Sequence, residues 1–461
     1  MKKRNGGWWA AMMAAVMVVG AACGGAAGRV TPALTSTPAA TDTPRPTYTP
    51  DATATYAPSP AYTPDAATLK GKLLMGYQGW FNCPGDGSQV NGYFHWFKEG
   101  IADAEHANFD LWPDTSELSQ AERCRTNATL PDGSPAYVYS AYNAQTVLRH
   151  FEWMKDYGLD GVMLQRFVSE LGDPRFFDQR RQVLANVMAG AEANQRVFAI
   201  MYDVSGANPE TLVETIEKDW RYLVDEMKVT QSRNYLRHNG KPVLAIWGFG
   251  YRDRPGTPQM ALETARFLQE TAPAQYQVTL WGGVPRQWRT RSGDSGTDPA
   301  WSDYYCGLDI INPWTVGAFG GASSADSYYN VEGTLDREKA AQCGAEYMPV
   351  VFPGFSWRNL NAGKLNQIPR QGGRFYWRQV YDAVQAGNTM IYNAMFDEVD
   401  ESTAMFKVAA SANALPAQGE FLALDADGTA LPSDWYLRLA GEASKMLRGE
   451  IPLTEQIPIQ P

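Results

Sequence analysis

The sequence predicts an α/β protein, a (β/α)8 TIM barrel preceded by a disordered Thr/Pro-rich linker. Three observations carry this. Short apolar runs at 73–81, 161–167, 197–204, 243–249, 277–281, 310–314, 347–352 and 390–396 alternate with stretches of helical period at 144–157, 178–192, 209–227, 258–270 and 373–386. Unbroken Val/Ile/Leu-rich runs between helices imply parallel strands covered by helices, and eight of them over this length suit a closed barrel rather than an open sheet. A doubly wound sheet would also need a glycine-rich phosphate turn between its first strand and a helix. Here Gly76-Tyr-Gln-Gly79 lies within the first run, and no helix follows it.

Taken in order, residues 1–22 read as an export signal: Lys2, Lys3 and Arg4 precede an apolar run from Trp8 to Ala22 that is short for a membrane span. Cys23 directly after Gly20-Ala-Ala resembles a bacterial lipoprotein site, although Gly20 stands where Leu or Val is usual. The expectation is an exported cell-surface lipoprotein touching the membrane only through a lipid on Cys23, with free secretion as the alternative. Residues 23–69 are dominated by Thr, Pro, Ala, Asp, Ser and Tyr, too little apolar surface to offset the entropy of ordering, and so form a linker. The barrel is assigned to 70–448 and a tail to 449–461. Near its end, Asp425-Ala-Asp-Gly428 suits a turn better than a calcium loop, and 432–447 supplies a closing helix.

A net charge of −10, without basic residues interleaved among the aromatics, excludes a nucleic-acid partner. The chain is expected to be a monomer. Its 15 Trp and 23 Tyr serve either ordinary packing or flat faces for sugar rings. Beyond Cys23 four cysteines remain, and of the three possible connectivities Cys83–Cys124 and Cys306–Cys343 join neighbouring elements. Buried free thiols are the alternative. No CxxC or Cys/His spacing points to a metal, and no cofactor is expected.

In a barrel of this class the site forms at the C-terminal ends of the strands. Those ends supply Tyr77, Gln78 and Trp80, then His95 and Trp96 just beyond; Gln165 and Arg166; Tyr202 and Asp203; Trp247; Trp281; Asn312 and Trp314; and Trp357. The eighth run ends in Asp397, Glu398, Asp400 and Glu401. Ionised groups beside an apolar core must be solvated, paired or used. A helix N-terminus would account for one or two of them. The functional reading makes Glu398 and Glu401 the acid and base of glycosidic-bond cleavage, with the planar and hydroxyl-bonding side chains around them binding an oligo- or polysaccharide. Singly, each has a bland alternative: any one Trp is ordinarily packing, and Arg166 could simply balance Asp203.

The end of the eighth run, Glu398-Val-Asp-Glu401-Ser-Thr403, resembles the Glu-Trp-His-Glu-Gly-Thr motif of glycoside hydrolase family 99, the endo-α-mannosidases and endo-α-mannanases, and their 71/99-like relatives. Tyr139-Ser-Ala-Tyr-Asn143, Gly158-Leu-Asp-Gly161, the His95-Trp96 pair, Pro353-Gly354 and Gly373-Arg-Phe-Tyr376 are similar to other parts of that family. The resemblance implies a retaining glycosidase acting on α-linked, mannose-containing glycans through a 1,2-anhydro-sugar intermediate. In it Glu398 would deprotonate the sugar 2-hydroxyl, and Glu401 would protonate the leaving oxygen and then activate water. Val399 and Asp400 replace the family's Trp and His, and an Asp beside Glu401 would raise its pKa by like-charge repulsion. The alternative is a carbohydrate-binding barrel of the cell surface that has lost catalysis. An esterase would need a Gly-x-Ser-x-Gly elbow, which is absent.

Overall fold

The computed structural model describes residues 62–461. The expected signal peptide, the lipidation site Cys23 and most of the linker lie outside the described residues. Eight parallel barrel strands are present, counted here one to eight: Lys72–Tyr77, Gly161–Phe167, Val197–Asp203, Lys241–Trp247, Thr279–Val284, Ile310–Pro313, a seventh in two pieces (Glu346–Tyr347 and Val350–Val351), and Met390–Asn393. Each pairs in parallel with the next, and strand eight pairs with strand one (Leu73 opposite Ile391). The lower piece of strand seven bonds strand six and the upper piece bonds strand eight, with Met348-Pro349 as the step between them. A proline fits there because it has no N–H to lose from a ladder.

Helices of residues Ala144–Asp156, Pro174–Asn194, Leu212–Asp225, Pro258–Arg266, Trp301–Cys306, Gly333–Gln342, Arg374–Gln385 and Trp435–Leu447 cover the ring. Local chemistry starts several of them. Asn143, Asp173 and Thr257 each accept a backbone N–H from the first turn, and Pro174 and Pro258 follow the latter two caps, satisfying donors a helix start leaves free. Inside the ring Gly76 faces Tyr392 and Met395, and a Cβ there would sit 2.1 Å from the Met395 sulfur, so glycine lets these two side chains fill the barrel.

Three features differ from the sequence expectation. Strand one ends at Tyr77 rather than residue 81, because Gly79 turns the chain at φ +59° and the N–H groups of Gln78 and Gly79 bond Asp397 instead of a strand. The excursion before the first helix contains an antiparallel hairpin, Arg123–Thr129 with Pro135–Tyr139. The folded body also begins before residue 70: the Tyr62 hydroxyl donates to Asp160 at 2.6 Å, its carbonyl accepts from Arg196, and the Arg448 guanidinium lies 3.9 Å over its ring. Both expected disulfides are present, Cys83–Cys124 tying the hairpin to the segment after strand one, and Cys306–Cys343. Among the described residues no helix is long and apolar enough to cross a membrane.

Candidate active site

Side chains alternate between the two faces of a strand, and this decides which rim residues reach the mouth. Gln165 opposite Met201, then Phe167 opposite Asp203 and Asp203 opposite Trp247, share the inner face. Gln165 Nε2 donates to the Tyr392 hydroxyl across the barrel at 3.1 Å. Arg166 and Tyr202, one residue out of step, point into the helix layer. There Arg166 donates two bonds of 2.6 Å to Asp219, and the Tyr202 hydroxyl adds a third at 2.6 Å. Arg166 is 1% exposed and Tyr202 fully buried, so neither is a sugar ligand, and the partner of Arg166 is Asp219 rather than Asp203. Tyr77 likewise turns outward to share a 2.8 Å hydrogen bond with His150 Nδ1. Trp96 is buried on Phe81 with its Nε1 donating to the Tyr139 carbonyl. These four belong to packing.

At the inner end of strand eight, Ala394, Met395 and Phe396 are buried, and the chain then folds into a tight turn. Ser402 N–H bonds the Val399 carbonyl at 3.2 Å with Ser402 in the left-handed region (φ +59°), and Met405 N–H returns to the Phe396 carbonyl at 3.0 Å. Buried Val399 anchors the turn, leaving its acids at the barrel mouth. Asp397 is fully buried and accepts the N–H groups of Gln78 (2.7 Å) and Gly79 (2.9 Å). It therefore joins strand eight to the segment after strand one, a positioning role. Burial outweighs those donors and pushes its carboxyl up to about 7.

Glu398 is 6% exposed; its Oε1 accepts from Gln78 Nε2 at 3.1 Å and its Oε2 from Thr403 Oγ1 at 3.2 Å. Burial, then Glu401, Asp400 and Asp397, raise it well above the ordinary carboxyl range. The Thr403 bond opposes them, and donors on both oxygens suit the ionised form. Glu401 is half-buried, and its carbonyl receives the Ser356 N–H at 3.0 Å. Burial and the neighbouring Asp400 push its carboxyl up to about 7, against Arg254, which lowers it. The repulsion expected between Asp400 and Glu401 is thus present, though burial is the larger cause. Burial also raises the Asp400 carboxyl above the ordinary carboxylate range.

Around the acids, Trp80 is sandwiched between His95 (ring centroids 3.7 Å, nearly parallel) and Phe167 (5.3 Å). Both its faces are thereby covered, so it walls the site rather than offering a stacking face. His95 Nδ1 lies 3.2 Å from Asp400 Oδ2. Half-buried Trp247 and Trp314 meet edge to face at 5.5 Å, with Arg254 over the Trp247 ring. Trp281 is deeper, fully buried against Tyr392. Asn312 holds the Met348 carbonyl at 2.6 Å, an anchor for strand seven. Asp203 accepts the Ser205 N–H and is pushed by burial up to about 6. Trp357 is half-buried, next in sequence to the Ser356 that bonds Glu401.

Residues that the strand-end reading missed are Phe167, Thr403, Arg254 and the pair Glu170–Arg180, whose guanidinium also donates to the Gln78 carbonyl. Phe167 was recoverable, two positions from Gln165 on the same face. Arg254 lies in the loop after strand four, where no pattern announces it.

The fold is similar to two solved structures of a GH99 endo-alpha-mannosidase from Bacteroides thetaiotaomicron, one in complex with BIS-TRIS-Propane (14% identity, TM-score 0.59) and another (13%, 0.60). Each comparison covers 83% of this chain and 99% of the other. A solved glycoside hydrolase-like protein is similar at 13% identity and a TM-score of 0.50, covering 84% of this chain and 96% of its own. No protein-family model and no curated protein matches this chain. The barrel is therefore a GH99-like fold, as the strand-eight motif anticipated.

Proposed function

We propose that this chain is a glycoside hydrolase of α-linked glycans, mannose-containing ones among them, with Glu398 and Glu401 as its catalytic pair. The observation that carries this is the turn after strand eight, where two glutamates three positions apart share the barrel mouth and both are raised by burial in a group of four acids. The Glu401 carboxyl, pushed up to about 7, lies where a general acid working at neutral pH is needed.

Glu398, with Gln78 and Thr403 ready to stabilise its charge, takes the proton from the sugar 2-hydroxyl. That oxygen attacks the anomeric carbon as the glycosidic bond breaks, and the leaving oxygen receives the proton of Glu401. Water then adds at the anomeric carbon while Glu401 takes its proton. The 1,2-anhydro ring opens, and the 2-oxygen regains its proton from Glu398. Two inversions leave the anomeric configuration retained. In an α-mannoside the 2-oxygen and the leaving oxygen lie on opposite ring faces, which suits this internal attack. Two disulfides fit an oxidising, extracellular location, and we carry with the proposal a monomeric enzyme tethered through Cys23.

The test incubates purified protein with a panel of α-linked glycans, scoring new reducing ends and reading product anomers by NMR. Glu401→Gln should cut turnover by roughly 10²–10⁴-fold, the usual worth of a general acid, with the fold intact. Oligosaccharide binding without any cleavage by the unmodified protein would overturn the proposal in favour of a binding module.

A further inference from the structure

We propose that Asp400, held by His95, is a positioning residue that governs when Glu401 carries its proton. This rests on the reading of Glu401 as the proton donor. Asp400 lies between the two glutamates and is 2% exposed. Its Oδ2 meets His95 Nδ1 at 3.2 Å, and its Oδ1 has no hydrogen-bond partner among the described residues. A carboxyl bonded on one oxygen only, to a neutral ring, keeps most of its charge uncompensated when it ionises. Glu401, the next residue, feels that charge at short range and in a poorly solvated setting.

His95 is fixed independently of the acid. Its ring is parallel to Trp80, edge-on to Phe81 and Phe94, and carried on a left-handed backbone (φ +63°). The titratable and charged groups acting on this pair are Asp397, Glu398 and Glu401 of the turn, Tyr139 of the hairpin, and Glu170 and Arg180 after strand two, while Arg254 after strand four acts on Glu401. Burial pushes the imidazole down to about 3. With the ring neutral, a single proton occupies the His95–Asp400 contact. Either Nδ1–H donates to the carboxylate or the carboxylic acid donates to Nδ1. Ionisation of Asp400 exchanges one arrangement for the other, so the ring reports the state of the acid.

Nitrogen-15 NMR of histidine-labelled protein tests this without a substrate. With its resonance assigned by loss in H95Q, the His95 Nδ1 signal should move between about pH 5 and 9 although the ring gains no charge. In D400N that movement should vanish, and the Glu401 carboxyl midpoint, followed by carbon-13 and assigned with E401Q, should fall by about one unit. The basic limb of the pH–activity profile should shift acidward with it. A Nδ1 signal flat across that range in the unmodified protein, or a Glu401 midpoint unmoved in D400N, overturns the proposal whether or not glycans are cleaved. Both shifts in a protein that cleaves no glycan would sustain the coupling and sink the glycosidase reading.

Discussion

On the helix-facing side of strands two and three, charge is matched: Arg166 grips Asp219 through two short bonds and Tyr202 completes the carboxylate. At the mouth it is crowded and unmatched, with four acids in one turn and Arg254 acting on Glu401 against burial and repulsion. Asp397, Glu398 and Asp400 are as buried as the Arg166–Asp219 pair, with Glu401 half-buried beside them, so burial alone does not distinguish the two groups; partners do. A buried pair costs little once made and much when half of it is removed. Unmatched acids weaken the fold continuously, and they are kept where their protons are put to use.

The contrast can be broken from either side. The largest effect should come from Glu398→Gln, which removes the proposed proton acceptor while preserving the shape of the turn. Turnover should fall by roughly 10²–10⁴-fold, and urea unfolding should show stability unchanged or improved. A fall in both would mean that Glu398 is structural. Asp219→Ala strands Arg166 in the helix layer and should cost about 3–5 kcal/mol in the same unfolding experiment, with activity per folded molecule intact.

A third outcome concerns pH. Unfolded carboxyls titrate near about 4, whereas in the fold burial raises both Asp400 and Glu401, the latter up to about 7. Above about 4 the folded state holds protons that the unfolded state has released, so these groups' contribution to stability falls as pH rises from about 4 through about 7. Calorimetry across that range should show the decline, and a shallower one in Glu401→Gln; equal slopes would show that Glu401 does not titrate as stated. The smallest effect belongs to Tyr77→Phe, which deletes the bond to His150 and should cost about 0.5–1.5 kcal/mol while leaving kcat where it was. A lowered kcat would return Tyr77 to the site.

Much of this was legible in the sequence. The apolar runs located the eight strands, the cysteines paired as neighbouring elements suggested, and the acids fell at the end of strand eight. What failed was the assignment of adjacent residues to one mouth. Tyr77 with Gln78, Gln165 with Arg166, and Tyr202 with Asp203 are consecutive positions, and consecutive side chains on a strand face opposite ways. Alternation was available to choose one of each pair. Which one faced inward depended on register, and the partner of Arg166 lies on a helix 53 residues away. The hairpin at 123–139 carries its signal in Pro131-Asp-Gly133, a turn sequence, but hairpins have no slot in a strand–helix alternation. The Trp80 sandwich was invisible because its two covers come from separate stretches of chain.

Tyr62 is fastened by Asp160 and Arg196, residues that immediately precede strands two and three. The polypeptide thus joins the barrel at its floor, at the far end from the acidic turn. Whatever enters the barrel mouth therefore meets none of the contacts that hold Tyr62. Replacing Tyr62 would loosen the floor of the barrel while leaving the geometry of the acidic turn as it is.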